Sequence, residues 1–422
     1  MTQKGIIISA PSSASGKTTV TLGLLRALKR AGIPIRSAKS GPDYIDPRFH
    51  AAASGNECVN LDAWAMSPDR IKSLATGDTP LIIEGAMGLF DGAPPNGGGS
   101  TADLARILGL PVVLVLDVAS QAQSVAAVAL GFSQLSPDVK IAGIILNKVG
   151  SPRHDKMLRR ALDPLNIPVL GSLYRQADLQ TPSRHLGLIQ AQERDDLDGF
   201  LDRAADMVAT AIDIPALMAL MGQVTPTAQS TLTLPPPAQS IAIASDAAFS
   251  FAYPHLLADW RAMGAEISFF SPLADQAPKP ADLVYLPGGY PELHAGKLAS
   301  AQIFKQGLKS ANAVYGECGG YMTMGDGLID AHGIRHEMLG LLRLETSFAA
   351  RKLHLGYRNL TPNALWDMPL SAHEFHYATT LKSDGDPLFS AADAEGTQLP
   401  PMGLINGSHS GSFAHIIDRR TT

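Results

Sequence analysis

The first half of the chain alternates short apolar runs with longer mixed stretches. Apolar runs of strand length occupy 5–9, 81–85, 112–118 and 141–149, and stretches of helix length at 16–31, 120–132 and 153–163 separate them. Near-continuous β-branched runs are typical of strands that are covered on both faces, and strands that alternate with helices form right-handed βαβ units. The pattern therefore predicts an α/β unit with a mostly parallel sheet.

The pattern changes near residue 221. Residues 221–239 contain no acidic or basic side chain and include three consecutive prolines, which favours an extended linker over a helix. Beyond them, IAIAS (241–245), DLVYLPGG (282–289) and NAVYGECGG (312–320) begin a second α/β series, and two of these runs end in glycine turns. We predict a first domain over 1–220, a linker over 221–239 and a second domain over 240–422.

Composition excludes several classes of protein. The 422 residues are 45% hydrophobic and 17% charged, which suits folded cores rather than a disordered chain. A net charge of −5 gives no basic footprint for nucleic acid, and no apolar stretch is long enough for a signal peptide or membrane helix. The two cysteines form no disulfide framework. We expect a cytoplasmic protein without nucleic-acid or membrane partners.

The apolar run at 5–9 leads into APSSASGKTTV, and a helix is predicted from about Gly16. A strand, a small-residue loop and a helix are the context of a phosphate loop, where backbone N–H groups bind anionic oxygens. Lys17 would then reach the terminal phosphates of ATP, and the Thr18 hydroxyl would bind Mg²⁺. The loop is a variant, because Pro11 stands where the usual pattern has glycine, and an ordinary turn is the alternative. The predicted ATP-binding residues of the loop are Ser15, Gly16, Lys17, Thr18 and Thr19.

Acidic residues accompany this loop. Glu84 ends a predicted buried strand, where ligands bind in open α/β sheets, and is a candidate ligand of Mg²⁺. Asp91 lies just beyond it in a glycine-rich segment. The segment KSGPDYIDPRFH (39–50) supplies Lys39, Asp43 and Asp46, and its two prolines predict a non-helical conformation. The alternative is that these acids are ordinary turn residues.

Gly316-Glu317-Cys318-Gly319-Gly320 follows a predicted strand and precedes a helix-like segment. This is the cysteine form of a nucleophile elbow, which predicts an exposed Cys318 thiol with a lowered pKa at a helix N-terminus. A buried, inert cysteine is the alternative. A thiol nucleophile needs a base, and the candidates are His373, His376, His409 and His415. Backbone N–H groups for an oxyanion are expected at Gly288, Gly289 and Gly319.

These segments together resemble the cobyrinate and hydrogenobyrinate a,c-diamide synthase family of corrin biosynthesis over essentially the whole length. The resemblance is carried by SSASGKTTV (12–20), KSGPDYIDPRFH (39–50), NLDAW (60–64), EGAMGLFDG (84–92), ILNKV (145–149), LPGGYPE (286–292), YGECGGYM (315–322), HEFHY (373–377) and SFAHI (412–416). It implies a P-loop domain similar to dethiobiotin synthetase, followed by a domain similar to class I glutamine amidotransferases.

The resemblance also implies the chemistry. The family amidates the a- and c-acetate carboxylates of a corrinoid polycarboxylic acid, using ATP, Mg²⁺ and glutamine, through an acyl phosphate and ammonia released at Cys318. His415 would be the base, with His409 as a rival, and Asn147 would contact adenine. Many class I glutaminases carry a glutamate two residues after this histidine, but this chain has Ile417, so the group that orients His415 is unidentified. Residues implied at the amidation site are Lys39, Asp43, Tyr44, Asp46 and Asp91.

Three alternatives remain at this point. The ring substrate is either metal-free hydrogenobyrinate, which overall similarity favours, or cobalt-containing cobyrinate. Cobyric acid synthases share both domains but differ in their N-terminal motifs. Nucleotide switches of the partitioning-ATPase type share the variant loop, but they generally carry an early lysine that this loop lacks. The resemblance also implies a homodimer, because synthetase domains of this type often pair.

Overall fold

The computed structural model describes residues 3–175, 190–224 and 232–420, together with 183–184 and 187–188. The chain divides into two compact units, Met1–Thr231 and Leu232–Thr422. This division falls inside the predicted linker 221–239, of which residues 225–231 lie outside the described residues. Within the described residues, every helix is too short or too polar to span a bilayer.

The first unit is an α/β unit. Its strands are β1 (Lys4–Ser9), β2 (Arg36–Ser40), β3 (Cys58–Leu61), β4 (Leu81–Glu84), β5 (Val112–Asp117), β6 (Ile141–Val149), β7 (Val169–Tyr174), β8 (Ser183–Arg184), β9 (Gly187–Leu188) and β10 (Gly222–Gln223). Its helices are α1 (Lys17–Arg30), α2 (Asp46–Ser54), α3 (Pro68–Ala75), α4 (Thr101–Leu108), α5 (Val125–Gln134), α6 (Pro152–Leu162), α7 (Leu197–Ala211) and α8 (Ile214–Ala219).

The main sheet of this unit has the strand order β3-β2-β4-β1-β5-β6-β7, with parallel pairing throughout this path. Ile6, Ile7 and Ile8 of β1 are fully buried, as expected for a strand covered on both faces. The predicted parallel α/β unit is therefore confirmed. β10 pairs antiparallel with the start of β1, so the first residues of the predicted linker belong to this sheet.

One local prediction was wrong. The segment 39–50 was expected to be non-helical, but α2 begins at Asp46 within it. Pro47 occupies the first turn of the helix, where its missing N–H has no intrahelical partner to lose and its fixed φ suits the helix. The Asp43 carboxylate accepts hydrogen bonds from the N–H groups of Ile45 (2.8 Å) and Asp46 (3.1 Å) at the start of that turn.

The second unit combines a parallel sheet with antiparallel sheets. Its strands are β11 (Ser240–Ala244), β12 (Glu266–Phe270), β13 (Leu283–Leu286), β14 (Val314–Glu317), β15 (Gly327–Ile329), β16 (Arg335–Glu337), β17 (Arg343–Ser347), β18 (His354–Pro362), β19 (Leu370–His376), β20 (Thr379–Asp384), β21 (Phe389–Ala392), β22 (Gln398–Met402), β23 (Leu404–Asn406), β24 (His409–Ser412) and β25 (Ala414–Arg419). Its helices are α9 (Pro254–Ala262), α10 (Ala295–Ser300), α11 (Gln302–Lys309) and α12 (Gly319–Met324).

The central sheet of the second unit has the order β12-β11-β13-β14-β24-β23, and only the β23–β24 pair in this path is antiparallel. A second sheet, ordered β22-β21-β18-β19-β25, is antiparallel. The chain passes from the first sheet to the second between Ser412 and Ala414. This crossing brings the start of β25 to the end of β14.

Candidate active sites

The loop between β1 and α1 adopts a conformation that requires glycine at position 16. Gly16 has φ of 90°, and a Cβ on it would lie 2.1 Å from Nδ2 of Asn147, so only glycine fits here. Asn147 donates from Nδ2 to the Ser15 carbonyl at 2.9 Å, and Lys148 donates from Nζ to the Ala14 carbonyl at 3.1 Å. The end of β6 therefore fixes the loop. The Asn147 amide keeps further capacity for a ligand, so its expected adenine contact stays a prediction.

Lys17 begins α1 and turns its ammonium group back across the loop. Nζ donates to the carbonyl of Met87 at 2.6 Å and to that of Ser12 at 3.3 Å. Burial lowers the pKa of Lys17 to about 8, although the carboxylate of Glu84 opposes this shift. The structure thus places the predicted phosphate-binding cation and the predicted acid close enough to interact. Ser15 is buried in the same loop, and Thr18 and Thr19 are partly buried in the first turn of α1.

Glu84 lies at the carboxyl end of β4 and is fully buried. Its Oε1 accepts hydrogen bonds from the Thr18 hydroxyl at 2.6 Å and the Lys39 ammonium at 2.8 Å, and its Oε2 contacts Nε2 of His50 at 2.7 Å. Burial alone would raise the pKa of Glu84, but Lys39 and His50 hold it well below its usual range. Glu84 is therefore an anion that faces two cationic partners.

Lys39 is a buried side chain rather than an exposed basic group. Its ammonium also contacts Oδ2 of Asp46 at 2.5 Å, so two carboxylates already neutralise it. Burial would lower the pKa of Lys39, but Asp46 and Glu84 raise it far above its usual range. Burial and the nearby Asp43 raise the pKa of Asp46, against the influence of Lys39. Lys39 thus holds the two acids together, and its expected place at the amidation site stays a prediction.

The remaining residues predicted for the amidation site lie on loops beside this pocket. Asp91 accepts a hydrogen bond from the Gly88 N–H at 2.9 Å, and its charge acts on Lys17. Asp43 caps α2 through Oδ1, and Tyr44 is half-buried in the next position. A Cβ on Gly88 would lie 2.6 Å from the Pro11 carbonyl, so the Asp91 segment packs directly on the phosphate loop.

The oxygens of this pocket suit Mg²⁺. A hydroxyl and a carboxylate 2.6 Å apart, on Thr18 and Glu84, are hard ligands of the kind that Mg²⁺ prefers. Only one oxygen of each of Asp43 and Asp91 has a protein hydrogen bond among the described residues, which leaves acceptor capacity for metal or water. The residues present therefore fit a nucleotide-bound Mg²⁺.

Sequence reasoning missed His50. Burial would lower its pKa, but Cys58, whose sulfur lies 3.5 Å from Nδ1, and Glu84 raise the pKa of His50 to about 10. The available signal was the spacing of Asp46 and His50, since residues four apart share one face of a helix.

In the second unit, Cys318 sits on a sharp turn between β14 and α12. Its φ of 45° is rare for a residue other than glycine and is the backbone strain of a nucleophile elbow. A Cβ on Gly320 would lie 1.9 Å from the Leu286 carbonyl, and one on Gly316 would lie 2.6 Å from the Met324 sulfur. The two glycines let the turn pack against β13 and α12.

Two expectations about the thiol were wrong. Cys318 is 4% exposed, and burial raises its pKa far above the usual range, with Glu292 adding to the shift. The N–H of Gly319 lowers the pKa but does not outweigh burial. A helix N-terminus stabilises a thiolate only in part when the surroundings exclude water. The resting form is therefore a thiol, and it needs a base.

His415 is the candidate base that the topology brings to this turn. The Cys318 N–H donates to the Ser412 carbonyl at 2.8 Å, and His415 follows three residues later in β25. Burial lowers the pKa of His415 to about 3, and His373 lowers it further from the paired position on β19. The ring is therefore neutral and able to accept a proton. His409 pairs with Val314, at the opposite end of β14 from Cys318.

The glycines predicted to bind an oxyanion lie against these two residues. A Cβ on Gly288 would lie 2.1 Å from Cε1 of His415, so the backbone packs on the imidazole. A Cβ on Gly319 would lie 2.9 Å from the Gly289 nitrogen, so these two backbones touch. The segment after β13 thus meets the nucleophile turn, as an oxyanion hole requires.

His354, Glu374 and His376 form a possible metal ligand set, because their ligand atoms lie within 4.8 Å of one another. The contacts already present explain this cluster without an ion. Glu374 pairs with Arg358 at 2.8 Å and with Nε2 of His376 at 3.0 Å, and the His376 ring stacks on Phe413.

Comparisons with known proteins match both units. The model of the CobQ/CobB/MinD/ParA nucleotide binding domain matches residues 6–189, and that of the CobB/CobQ-like glutamine amidotransferase domain matches residues 240–421. A hydrogenobyrinate a,c-diamide synthase of Brucella anthropi is 56% identical over 432 residues, which cover 98% of each chain. One of Brucella abortus is 57% identical over 430 residues, again 98% of each chain, and one of Rhizobium meliloti is 52% identical over 426 residues, 98% of this chain and 99% of the relative.

Proposed function

The chain belongs to the hydrogenobyrinate a,c-diamide synthase family, and from this membership we propose that it amidates the a- and c-acetate carboxylates of hydrogenobyrinate with ATP and glutamine. It is an amide-forming ligase. The observation that carries the proposal is the presence, in one chain, of buried Lys17 and Glu84 beside the loop between β1 and α1 and of Cys318 on a strained turn.

The first reaction primes a carboxylate. A substrate carboxylate oxygen attacks the γ-phosphorus of ATP, ADP leaves, and an acyl phosphate forms, which replaces a poor leaving group with phosphate. Lys17 stabilises charge on the transferring phosphoryl group, and Glu84 orients Thr18 and Lys39. Asp43, Tyr44, Asp46 and Asp91 face the amidation site, where ammonia attacks the acyl carbon, phosphate leaves and a proton is lost.

The second reaction releases the ammonia. His415 takes the Cys318 proton as the sulfur attacks the amide carbon of glutamine, and the same proton then goes to the departing ammonia. The backbone N–H groups of Gly288, Gly289 and Gly319 face the developing oxyanion. Water then hydrolyses the thioester to glutamate. The neutral state of both Cys318 and His415 at rest means that the thiolate forms only during attack.

Three further assignments belong to the proposal. Thr18 and Glu84 would hold Mg²⁺, which would neutralise phosphate charge when bound with ATP. The enzyme works in the cytoplasm, where ATP and glutamine are available. It forms a homodimer. Sedimentation equilibrium tests this oligomeric state.

Two variants test whether nitrogen release and carboxylate activation use separate residues. Cys318→Ala should abolish glutamine-dependent amidation and keep the ammonia-dependent reaction, because only nitrogen release uses the thiol. Lys17→Ala should remove amidation with either nitrogen source, by about 10²-fold or more, because the phosphoryl charge loses its cation. The measurement is product mass and ADP release with each donor. Glutamine-dependent turnover in Cys318→Ala, or normal turnover in Lys17→Ala, contradicts the proposal.

A further inference from the structure

Glu317 is a buried carboxylate immediately before the nucleophile. Its Oε2 accepts a hydrogen bond from the Tyr285 hydroxyl at 2.8 Å. Its Oε1 accepts from the Tyr315 hydroxyl at 3.0 Å and from the Ile416 N–H at 3.2 Å. Three donors from β13, β14 and β25 therefore hold the group in one orientation, which is unusual for an acid that pairs with no arginine or lysine among the described residues.

The carboxylate lies beside the proposed base. Oε2 of Glu317 is 3.8 Å from Nδ1 of His415, within ion-pair reach but longer than a hydrogen bond. The Ile416 N–H that binds Oε1 belongs to the residue next to His415, so β25 is tied to Glu317 at this point. A Cβ on Gly288 would lie 2.1 Å from Cε1 of the imidazole, the carbon between its two nitrogens. The ring therefore packs on the Gly288 backbone and has the Glu317 carboxylate near Nδ1.

The position two residues after the base supplies no acid. Ile417 is fully buried, and its carbonyl accepts a hydrogen bond from Nε2 of His255 at 2.8 Å. A buried base that must gain a proton needs a compensating charge, since an isolated buried imidazolium is costly. Glu317, at the end of β14, lies beside Nδ1 and is in place to supply that charge.

We propose that Glu317 is the positioning residue of the glutaminase site, directing Nδ1–H of His415 toward its own Oε2 so that Nε2 faces Cys318. The inference rests on the proposed function. Its negative charge stabilises the imidazolium that forms when the thiol proton reaches His415, as the carboxylate does in a hydrolase triad. The acid lies at the end of β14, directly before the nucleophile, rather than on the strand that carries the base.

The pH dependence of glutamine hydrolysis follows from the groups around the ring. His373, His376 and Glu374 on β19 and Glu317 on β14 face His415. Burial raises the pKa of Glu317 to about 7, although the hydrogen bond from Tyr285 opposes the shift. Burial lowers the pKa of His373 to about 4. Burial would raise the pKa of Glu374, but His376 and Arg358 lower it to about 2. The activity should therefore rise with pH through about 7, as Glu317 ionises.

The test is the steady-state rate of glutamine hydrolysis by the full chain from pH 5.5 to 9, with three variants. Glu317→Gln keeps shape but not charge, so we expect kcat to fall about 10²-fold with KM for glutamine unchanged, and the rise near pH 7 to disappear. Glu317→Asp keeps the charge and should restore part of kcat and the rise. Tyr285→Phe removes one donor, so the pKa of Glu317 increases and the rise should move to higher pH.

The outcomes separate this inference from the proposed function. Wild-type kcat and pH profile in Glu317→Gln, with Cys318→Ala inactive toward glutamine, would overturn the positioning role alone. A lower kcat in Glu317→Gln with the rise near pH 7 retained would also overturn it. The rise would then come from another group, and the lower kcat would reflect a structural defect. Hydrolysis by Cys318→Ala would instead refute the proposed function. If Glu317→Gln does not fold, two results decide the question: the shift of the rise to higher pH in Tyr285→Phe, and the presence of the rise in Glu317→Asp. The absence of both overturns the proposal.

Discussion

Glu84 is a single carboxylate that compensates two cationic side chains inside the first unit. Lys39 contacts one of its oxygens and His50 the other, and the three groups are buried. Removing one partner of such a set leaves an uncompensated buried charge, which is more damaging than losing an exposed ion pair. Glu84 therefore both positions Thr18 and Lys39 and stabilises the fold of the first unit.

Glu84→Gln should accordingly affect stability and activity together. We expect the free energy of unfolding of the first unit to fall by about 3–5 kcal/mol, because Lys39 and His50 lose their counter-charge. The Mg²⁺ concentration for half-maximal amidation should rise about 10–100-fold or turnover should stop. Calorimetry and Mg²⁺ titration measure the two effects. Glu57→Gln, at an exposed position in the same unit, is the control. Wild-type Mg²⁺ dependence in Glu84→Gln would rule out its proposed metal role.

At the scale of the element, α2 connects two parts of the pocket. Asp46 and His50 are four residues apart, so they lie on the same face of the helix and reach Lys39 and Glu84 together. Asp43 binds the N–H groups of the first turn, and Pro47 is accommodated there. The helix therefore positions a carboxylate and an imidazole against the sheet.

His50→Gln tests this arrangement through pH. The pKa of His50 is raised to about 10 in the folded protein, so its stabilising contribution is present below its unfolded pKa, near 6.5, and is lost as pH rises through about 10. The wild-type unfolding temperature of the first unit should therefore decline relative to His50→Gln over this range. The lowered pKa of Lys17 changes stability with pH in the opposite direction. This contribution is the same in both proteins, so it cancels in the comparison. His332→Gln, at an exposed position, should follow the wild type, and parallel curves for His50→Gln would contradict a charged His50.

The sequence predicted those elements that are defined by a local pattern of residues. β1, β4, β5 and β6 are continuous apolar runs, and the phosphate loop and the cysteine elbow are local motifs, so all were found without a structure. α2 was missed because a proline reads as a breaker unless its position in the first turn is known. Glu317 was not identified because its partners Tyr285 and Ile416 are 32 and 99 residues away along the chain. The burial that raises the Cys318 pKa is likewise a property of packing.

At the scale of the whole molecule, the chain divides into two compact units, and the proposed function assigns one chemistry to each. Overall electrostatics does not attract the substrates, because the protein has a net charge of −5 and both ATP and a corrinoid polycarboxylate are anions. Affinity must therefore come from local groups, among which the phosphate-loop N–H groups and Lys17 are the clearest. The nucleotide should accordingly stabilise the unit that contains β1 and α1.

Calorimetry with Mg²⁺ and ADP tests this assignment. At a nucleotide concentration about 100 times Kd, a ligand that binds only the folded state stabilises it by about 2.7 kcal/mol, so the transition of the first unit should move upward. Lys17→Ala should lose the shift, because the phosphates lose their cation. Cys318→Ala should keep it in full, because the thiol belongs to the other chemistry. An equal shift in Lys17→Ala, or a loss of the shift in Cys318→Ala, would mean that the nucleotide binds elsewhere than at the loop between β1 and α1.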